Sequence, residues 1–397
     1  MLNLTAHIMP VLLLVFALLV TLQCAYLLLL TSLSWPKGRP RESVNRYFFD
    51  IIVPAHNEAA GIERTVKSLL SIAWPTEQFR VVVIADNCTD NTAAVARAAG
   101  ATALERRDDS QRGKGYALAY GFEWSRATGQ ALAVVVVDAD SEVTPNLLYA
   151  FANRLERGAH AMQAYYGVLN PHASWRTRLM AIALGAFHKL RSRARERLGL
   201  SCGIRGNGWC VSHALLLAVP YHAFSLVEDV EFGVDLALAD YRVAYCDEAQ
   251  VRGEMVTNEQ SARSQRVRWE GGRLKLIRSA VPLLWRHFLR NQSLICLDLI
   301  LDLLVSPLAN IALAATLLVI AAAAFSASFV GQLALILGLA DLFALVLYVA
   351  RGWYLSEVGA RGLLDLVRAP AFMAWKLLLL IKQRTTSTWV RTDREGH

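Results

Sequence analysis

The chain has 397 residues, 55% of them apolar, and its 41 Lys and Arg against 33 Asp and Glu give a formal net charge of +8. That apolar share exceeds the soluble norm and is concentrated at the two ends, which excludes a wholly water-soluble globule and leaves one sizeable domain plus membrane segments. The arginine clusters lie beside apolar helices and no nucleic-acid motif accompanies them, so the charge reads as membrane-surface charge with no nucleic-acid partner.

Residues 8–30 form an apolar run broken only by Pro10, Thr21 and Gln23, long enough to cross a bilayer. No Lys or Arg precedes it and no small-residue cleavage site is evident, so it reads as an anchor rather than a signal peptide. Lys37, Arg39, Arg41 and Arg46 follow, and the positive-inside rule places the amino terminus outside and the large domain in the cytosol. The six cysteines are scattered without a C-x-x-C pair and fit reduced thiols better than disulfides or zinc.

From there strands and helices alternate. Residues 47–55 read as a first strand, ending at Pro54 before His56, Asn57 and Glu58. A helix over 59–70 sets Ile62, Val66, Leu69 and Leu70 on one face. A second strand over 79–85 closes in Asp86-Asn87-Cys88-Thr89-Asp90, which supplies turn and cap chemistry for a helix over 92–99. A short strand over 102–105 leads through a charged loop holding Arg112, Gly113 and Lys114 to a helix over 116–124. Then comes a fourth strand with four consecutive valines, 134 to 137, which suits a position buried on both faces. This alternation means parallel βαβ units, an α/β domain. The fourth strand ends at Asp138-Ala139-Asp140, at the carboxyl edge where ligands of such domains sit. Hard oxygen ligands at that spacing suit Mg2+ or Mn2+, and so a diphosphate; the plain alternative is a solvated acidic turn.

A helix over 145–156 and a strand over 161–168 come next. The helix over 175–198 carries Arg176, Arg178, Lys189, Arg191, Arg193, Arg195 and Arg197 beside Leu179, Ile182, Leu184 and Phe187. It either lies along an anionic membrane surface or packs on the sheet. Gly203, Gly206 and Gly208 imply close backbone approach to a ligand or to another strand. A helix over 226–239 opens with Glu228, Asp229 and Glu231; a basic helix over 258–278 holds Gln265, Arg268 and Trp269; and 283–290 continues at the interface. Two spans over about 303–325 and 330–350 follow, with Asn310 and Asp341 at similar depth and so expected to pair. Residues 363–382 are interrupted by Asp365, Arg368, Pro370 and Lys376 and read as an interfacial helix. The expected organisation is thus a transmembrane helix in 1–34, a cytosolic domain in 45–285 and a membrane region in 286–397.

Four features occur in fixed order: Asp86, Asp138-Ala-Asp140, Glu228-Asp229 and Gln265-Arg-Val-Arg268-Trp269. Each alone is weak, and Glu228-Asp229 by itself reads as helix N-terminal charge matching. Together they resemble the membrane-bound family 2 inverting glycosyltransferases, which include cellulose, chitin and hyaluronan synthases, and the related ceramide glucosyltransferases. The resemblance covers about 48–285 and implies a GT-A-type fold flanked by transmembrane and interfacial helices. Residue by residue it implies that Pro54, Asn57 and Glu58 make the opening nucleotide contact and that Asp86 receives the uracil. The family's usual D-D-G-S-x-D lacks its first acid and its glycine here, reading Ala85-Asp86-Asn87-Cys88-Thr89-Asp90. Arg112 and Lys114 match the loop near the diphosphate. Asp140 would hold the metal and Asp138 would contact metal and nucleotide sugar. Asp229 matches the base that takes the acceptor proton, with Glu228 orienting or capping. Gly206 and Asn207 would floor the acceptor site, and Gln265, Arg268 and Trp269 would contact the sugars; as an alternative, Trp269 is a membrane-interface anchor.

The charges agree with that assignment. A nucleoside diphosphate leaves with two negative charges, which a divalent ion with Arg112, Lys114 and Arg268 can stabilise. The implied activity is transfer of a hexose or N-acetylhexosamine from a UDP-sugar to a growing β-glycan of exopolysaccharide type, at a bacterial inner membrane. Transfer of one sugar to a ceramide-like or polyprenyl lipid is the alternative, which the small number of spans favours. A non-catalytic scaffold is the remaining class, opposed by the complete acidic set. A second copy or a secretion partner could complete a channel.

Overall fold

The computed structural model describes residues 2–36, 38, 45–255 and 259–368, with side chains described outside 2–8, 259–271 and 273. The expectations for the side chains of Gln265, Arg268 and Trp269, and for residues 369–382, lie outside the described residues.

The chain starts with helix α1 (Leu2–Ser32) and then builds one eight-stranded sheet. Its first half is β1 (Phe49–Ala55), α2 (Ile62–Leu70), β2 (Phe79–Asp86), α3 (Thr92–Ala98), β3 (Thr102–Arg106), α4 (Lys114–Thr128) and β4 (Ala133–Val136). These four strands are parallel, in the order β3-β2-β1-β4. The apolar alternation decides which helices cover which face. Ile51, Val53, Val81, Val83 and Val135 join the core on one side of the sheet, while Ile52, Val82, Ile84, Val134 and Val136 join the core that includes Leu118 of α4 on the other. All of these side chains are fully or almost fully buried, as a strand covered on both faces requires.

The second half is mixed rather than continuously parallel. It comprises β5 (Ser141–Val143), α5 (Leu147–Glu156), β6 (Ala161–Val168), α6 (Trp175–Leu184), α7 (Arg191–Leu198), β7 (Trp209–Ser212), α8 (His213–Ala218), α9 (Glu228–Leu238) and β8 (Val243–Gly253). Strand β7 runs antiparallel between β4 and β6, and β5 pairs antiparallel with β8. Sequence reasoning did not find β5, β7 or β8. In β8, Asp247 and Glu248 interrupt the apolar pattern, and they sit at the irregularity where the β6 partner jumps from Cys246 to Gln250. Their charges are spent on Arg193 at 2.7 Å and Arg154 at 2.8 Å.

The expected helix over 175–198 is α6, a π-helical turn at Gly185–Leu190, and α7. The segment packs on the sheet, with His188 on the Tyr166 carbonyl of β6 and Arg193 paired with Asp247 of β8, but two of its arginines turn away from the sheet. Arg191 and Arg195 are 7% and 1% exposed and make ion pairs with acidic residues of the carboxyl-terminal helices. The π turn lies against the last long helix so closely that a Cβ on Gly352 would come within 2.7 Å of the Ala186 Cβ.

The carboxyl-terminal part is α10 (Glu259–Asn291), α11 (Leu294–Leu304), α12 (Leu308–Ala324), α13 (Phe329–Ser356) and α14 (Gly359–Leu366). The two segments expected over 258–278 and 283–290 are one helix, which accommodates Pro282. The span expected to begin at residue 303 instead breaks at Val305, Ser306 and Pro307, where α11 and α12 meet at 71°. Residues Met9–Ser32 and Phe329–Ser356 are each long and apolar enough to cross a membrane, and the bent pair makes a third candidate if it is one span. Leu13, Ala17, Val20, Leu27, Ile311, Ala315, Leu318, Ala322, Ala334 and Ala344 form the buried interior of α1, α12 and α13. Leu19, Leu22, Ile336 and Phe343 stay exposed on the outside, as a lipid-facing surface requires. The expected Asn310–Asp341 pairing does not form. Asp341 accepts from Thr21 Oγ1 of α1 at 2.9 Å, and Asn310 Oδ1 has no hydrogen-bond partner among the described residues.

Candidate active site

Because β1, β2 and β4 are parallel, the residues after each emerge along one carboxyl edge of the sheet. At the end of β2, Asp86 stands in register opposite Arg106 of β3. The Arg106 guanidinium donates to Asp86 Oδ1 at 2.7 Å and to the Gln111 carbonyl at 2.7 Å. Asp86 is 5% exposed, so one edge of the loop over 107–113 is tied to the strand through a buried ion pair. After β1, Asn57 takes a positive φ of 55° and its Oδ1 accepts from the backbone N–H of Thr89 at 2.7 Å. Asn57 therefore fastens the turn after Asp86. The backbone N–H of Glu58 donates to Thr92 Oγ1 at 2.9 Å, and Pro54 lies within β1 in register with Ile84.

After β4 the chain turns rather than continuing as a strand. The Asp138 N–H donates to Asn207 Oδ1 at 3.1 Å, and the Ala139 carbonyl accepts from Thr65 at 2.8 Å. Asn207 is fully buried and donates onward to Ser141 Oγ at 2.7 Å, while Ser141 Oγ donates to Asp140 Oδ1 at 3.1 Å. Gln163 supports Asn207 from behind, its Nε2 donating to the Asn207 backbone carbonyl at 2.7 Å. Asn207 thus holds the Asp138-Ala139-Asp140 turn from beneath. The glycines beside it answer the question left open by the sequence. Gly208 approaches another strand, since a Cβ there would lie 2.6 Å from Val251 Cγ2. Gly206 approaches a functional group, since a Cβ there would lie 3.3 Å from Asp229 Oδ2.

Lys114, at the first turn of α4, joins these parts. Its Nζ lies 2.6 Å from Asp138 Oδ1, 3.5 Å from Glu228 Oε1 and 2.6 Å from the Gly206 carbonyl. Stacking of Tyr116 on Phe224, with ring centroids 4.4 Å apart, fixes α4 against the segment that leads into α9. Glu228 and Asp229 open α9 and are each half-buried. Burial pushes both carboxyls above the ordinary carboxylate range, with Lys114 opposing the shift in each case. Burial alone would depress the Lys114 ammonium, and Asp138 and Glu228 more than offset it.

The structure therefore brings Lys114, Asp138, Gly206, Glu228 and Asp229 together. It leaves Arg112 on an exposed loop paired with Asp109. Sequence reasoning missed Arg106, Ser141 and Gln163; only strand register and loop packing reveal them. Asn207, expected at the acceptor floor, is instead enclosed. Cys202 and Cys210 are fully buried free thiols, which suits packing.

A family model described as "Glycosyltransferase like family 2" matches residues 46–272. The chain belongs to this family. Among curated family relatives, a probable glucomannan 4-beta-mannosyltransferase of Oryza sativa is 24% identical over 60% of this chain and 46% of its own length. A beta-monoglucosyldiacylglycerol synthase of Synechocystis is 28% identical over 56% of this chain and 47% of its own. The chain thus spans about half the length of the curated relatives it matches. The fold is that of the GT-A glycosyltransferases. A mannosyltransferase from Pyrobaculum calidifontis, solved with GDP-Man and Mn2+, superposes with a TM-score of 0.51 at 17% identity, covering 84% of this chain and 97% of that one.

Proposed function

We propose that this family 2 glycosyltransferase is a membrane-anchored inverting enzyme that moves a hexose or N-acetylhexosamine from a UDP-sugar to an acceptor hydroxyl. The observation that supports this best is the cluster in which one lysine bridges Asp138 and Glu228 beside Asp229, with Gly206 packed on the Asp229 carboxylate. In this reading Asp229 accepts the acceptor proton from the face opposite the leaving group. Its raised pKa fits a base that must hold a proton after attack. Glu228 keeps Lys114 in place rather than sharing the chemistry. Asp86, with Asn57, Pro54 and Glu58, borders the base and ribose. The Asp86 carboxylate offers its unshared oxygen while Arg106 holds the other.

Asp138 and Asp140 are the candidates for holding Mg2+ or Mn2+. Both offer hard carboxylate oxygens on a turn fixed by Asn207 and Ser141, and this donor set fits such an ion. When bound, the ion supplies neutralisation of the diphosphate. Lys114 adds a fixed positive charge on the same side, and Arg112 could swing from Asp109 toward the leaving group. Gln265, Arg268 and Trp269 remain candidates for sugar contact.

For the acceptor, the packed helix bundle favours a membrane lipid receiving one sugar. Ala17, Ala315, Leu318, Ala322 and Ala334 are completely buried between α1, α12 and α13, which leaves the interior of those helices filled by side chains. The Q-x-x-R-W motif favours the other reading, extension of a β-glycan, for which a second copy or a secretion partner would supply the path. The proposed organisation keeps an anchor in 1–34, a catalytic unit in 45–285 on the cytosolic face of a bacterial inner membrane, and a membrane region in 286–397. Incubating membranes with radiolabelled UDP-glucose and UDP-N-acetylglucosamine tests the acceptor. A labelled, organic-soluble, singly glycosylated lipid is expected, and labelled water-insoluble polymer would reverse the choice.

A further inference from the structure

We propose that Asp302 of α11 is a positioning residue that holds the loop over 203–208 against the catalytic cluster by way of Arg205. The inference rests on the reading of Asp229 as base. Three buried arginines converge on Asp302: Arg191 at 2.9 Å, Arg195 at 2.7 Å and Arg205 at 3.5 Å. Two of them have a second anchor. Arg195 reaches Asp298 at 2.8 Å and donates to Tyr26 Oη of α1 at 2.6 Å, and Arg191 donates to Tyr348 Oη of α13 at 2.9 Å. Arg205 differs. Its Nε has no hydrogen-bond partner, and Asp302 is its one carboxylate partner within 4.0 Å among the described residues. The guanidinium rests on the Phe187 ring of the π turn, 4.4 Å from its centroid.

The other end of Arg205 is in the site. Its N–H donates to Gln163 Oε1 at 2.8 Å, and the next residue, Gly206, gives its carbonyl to Lys114 and sits so near the Asp229 carboxylate that a Cβ there would lie 3.3 Å from Oδ2. One side chain therefore links the membrane-border helix α11 to the groups around the base. Asp302 stands just before the 71° break at 305–307, so the seating of that break reaches the loop through an ion pair. Without Asp302, Arg205 would lose its one ion-pair partner within 4.0 Å among the described residues and keep only the longer-range attraction of Asp229. Such a group turns toward water, and the turn would draw Gly206 off Asp229. Loss of alignment by about 1 Å costs on the order of a hundredfold in rate.

The test uses the full chain in phospholipid nanodiscs and reads amide hydrogen exchange, UDP binding with Mn2+, and turnover of UDP-glucose and UDP-N-acetylglucosamine. Asp302→Asn and Arg205→Met are each expected to raise exchange at 203–208 about tenfold and to lower turnover by about tenfold or more. UDP affinity should stay within about twofold, and Asp302→Glu should restore turnover. Arg191→Met breaks the same cluster away from the loop and should leave exchange at 203–208 unchanged. Arg205→Met tests the idea even if Asp302→Asn does not fold. Unchanged exchange at 203–208 in Arg205→Met, or an equal rise in all three variants across the whole sheet, would overturn the proposal. Because exchange needs no sugar, a loop that responds in a protein that transfers nothing would uphold the tie and defeat the reading of Asp229.

Discussion

Asp229, the proposed base, lies at the start of a helix, half-buried, with a lysine nearby and a glycine packed against its carboxylate. Because burial raises its pKa, the ionised base should be lost as pH falls through a value above the ordinary ~3.9 of an aspartate. The acid limb of kcat/KM is therefore expected above the carboxylate range, and a limb near pH 4 in a pH–rate profile would count against Asp229. The stability sign runs the other way. A raised carboxyl pKa means the folded state holds that proton more tightly, so ionisation costs folding free energy once pH exceeds the unfolded value. Asp229→Asn should then unfold no earlier than the parent at pH 7 in a thermal melt while being inactive. Asn207 gives a contrasting case. Asn207→Ala leaves the Asp138 N–H without its acceptor and Ser141 Oγ without its donor, at a cost of about 1–3 kcal/mol. It should raise the Mn2+ concentration needed for half-maximal UDP binding, as titration calorimetry would show.

At the scale of elements, the parallel half of the sheet was legible because its strands are uninterrupted apolar runs ending in turn chemistry. Expected and observed bounds there coincide or differ by at most four residues. The antiparallel half was not. Strand β7 is four residues long and follows three glycines of positive φ, so it looks like loop. Strand β8 carries charges that pair with helices far away in sequence. The basic helix over 175–198 misled for the same reason, since the partners of Arg191 and Arg195 lie more than a hundred residues on, in α11. Order and spacing singled out Asp138, Glu228 and Asp229, which the structure gathers around Lys114 and Gly206, whereas Arg106 and Gln163 depend on register and on a neighbouring loop. The close contact at Gly208 yields a direct prediction. Gly208→Ala combines φ of +71° with a Cβ 2.6 Å from Val251 Cγ2. It should cost about 1–3 kcal/mol, visible as a lower unfolding midpoint, and Val251→Ala should recover part of the loss.

For the whole molecule, the membrane helices and the GT-A domain share an interior. The Gly352 crossing against the π turn and the arginine cluster on Asp298 and Asp302 join them through packing and charge. Gly352→Leu, which would force these surfaces apart, should reduce activity in bilayers by tenfold or more while leaving UDP binding measurable. The account as a whole depends on Asp229 acting as base beside a nucleotide-sugar clamp. Its most direct test follows UDP release and the anomeric configuration of the product, by NMR, from α-linked UDP-sugars with Mn2+ in nanodiscs containing the acceptor lipid extract, for the parent chain and Asp229→Asn. The account predicts a β-linked product from the parent, and release slowed by about a thousandfold in the variant with UDP affinity within twofold. Equal release by the two proteins, or an α-linked product, would contradict it.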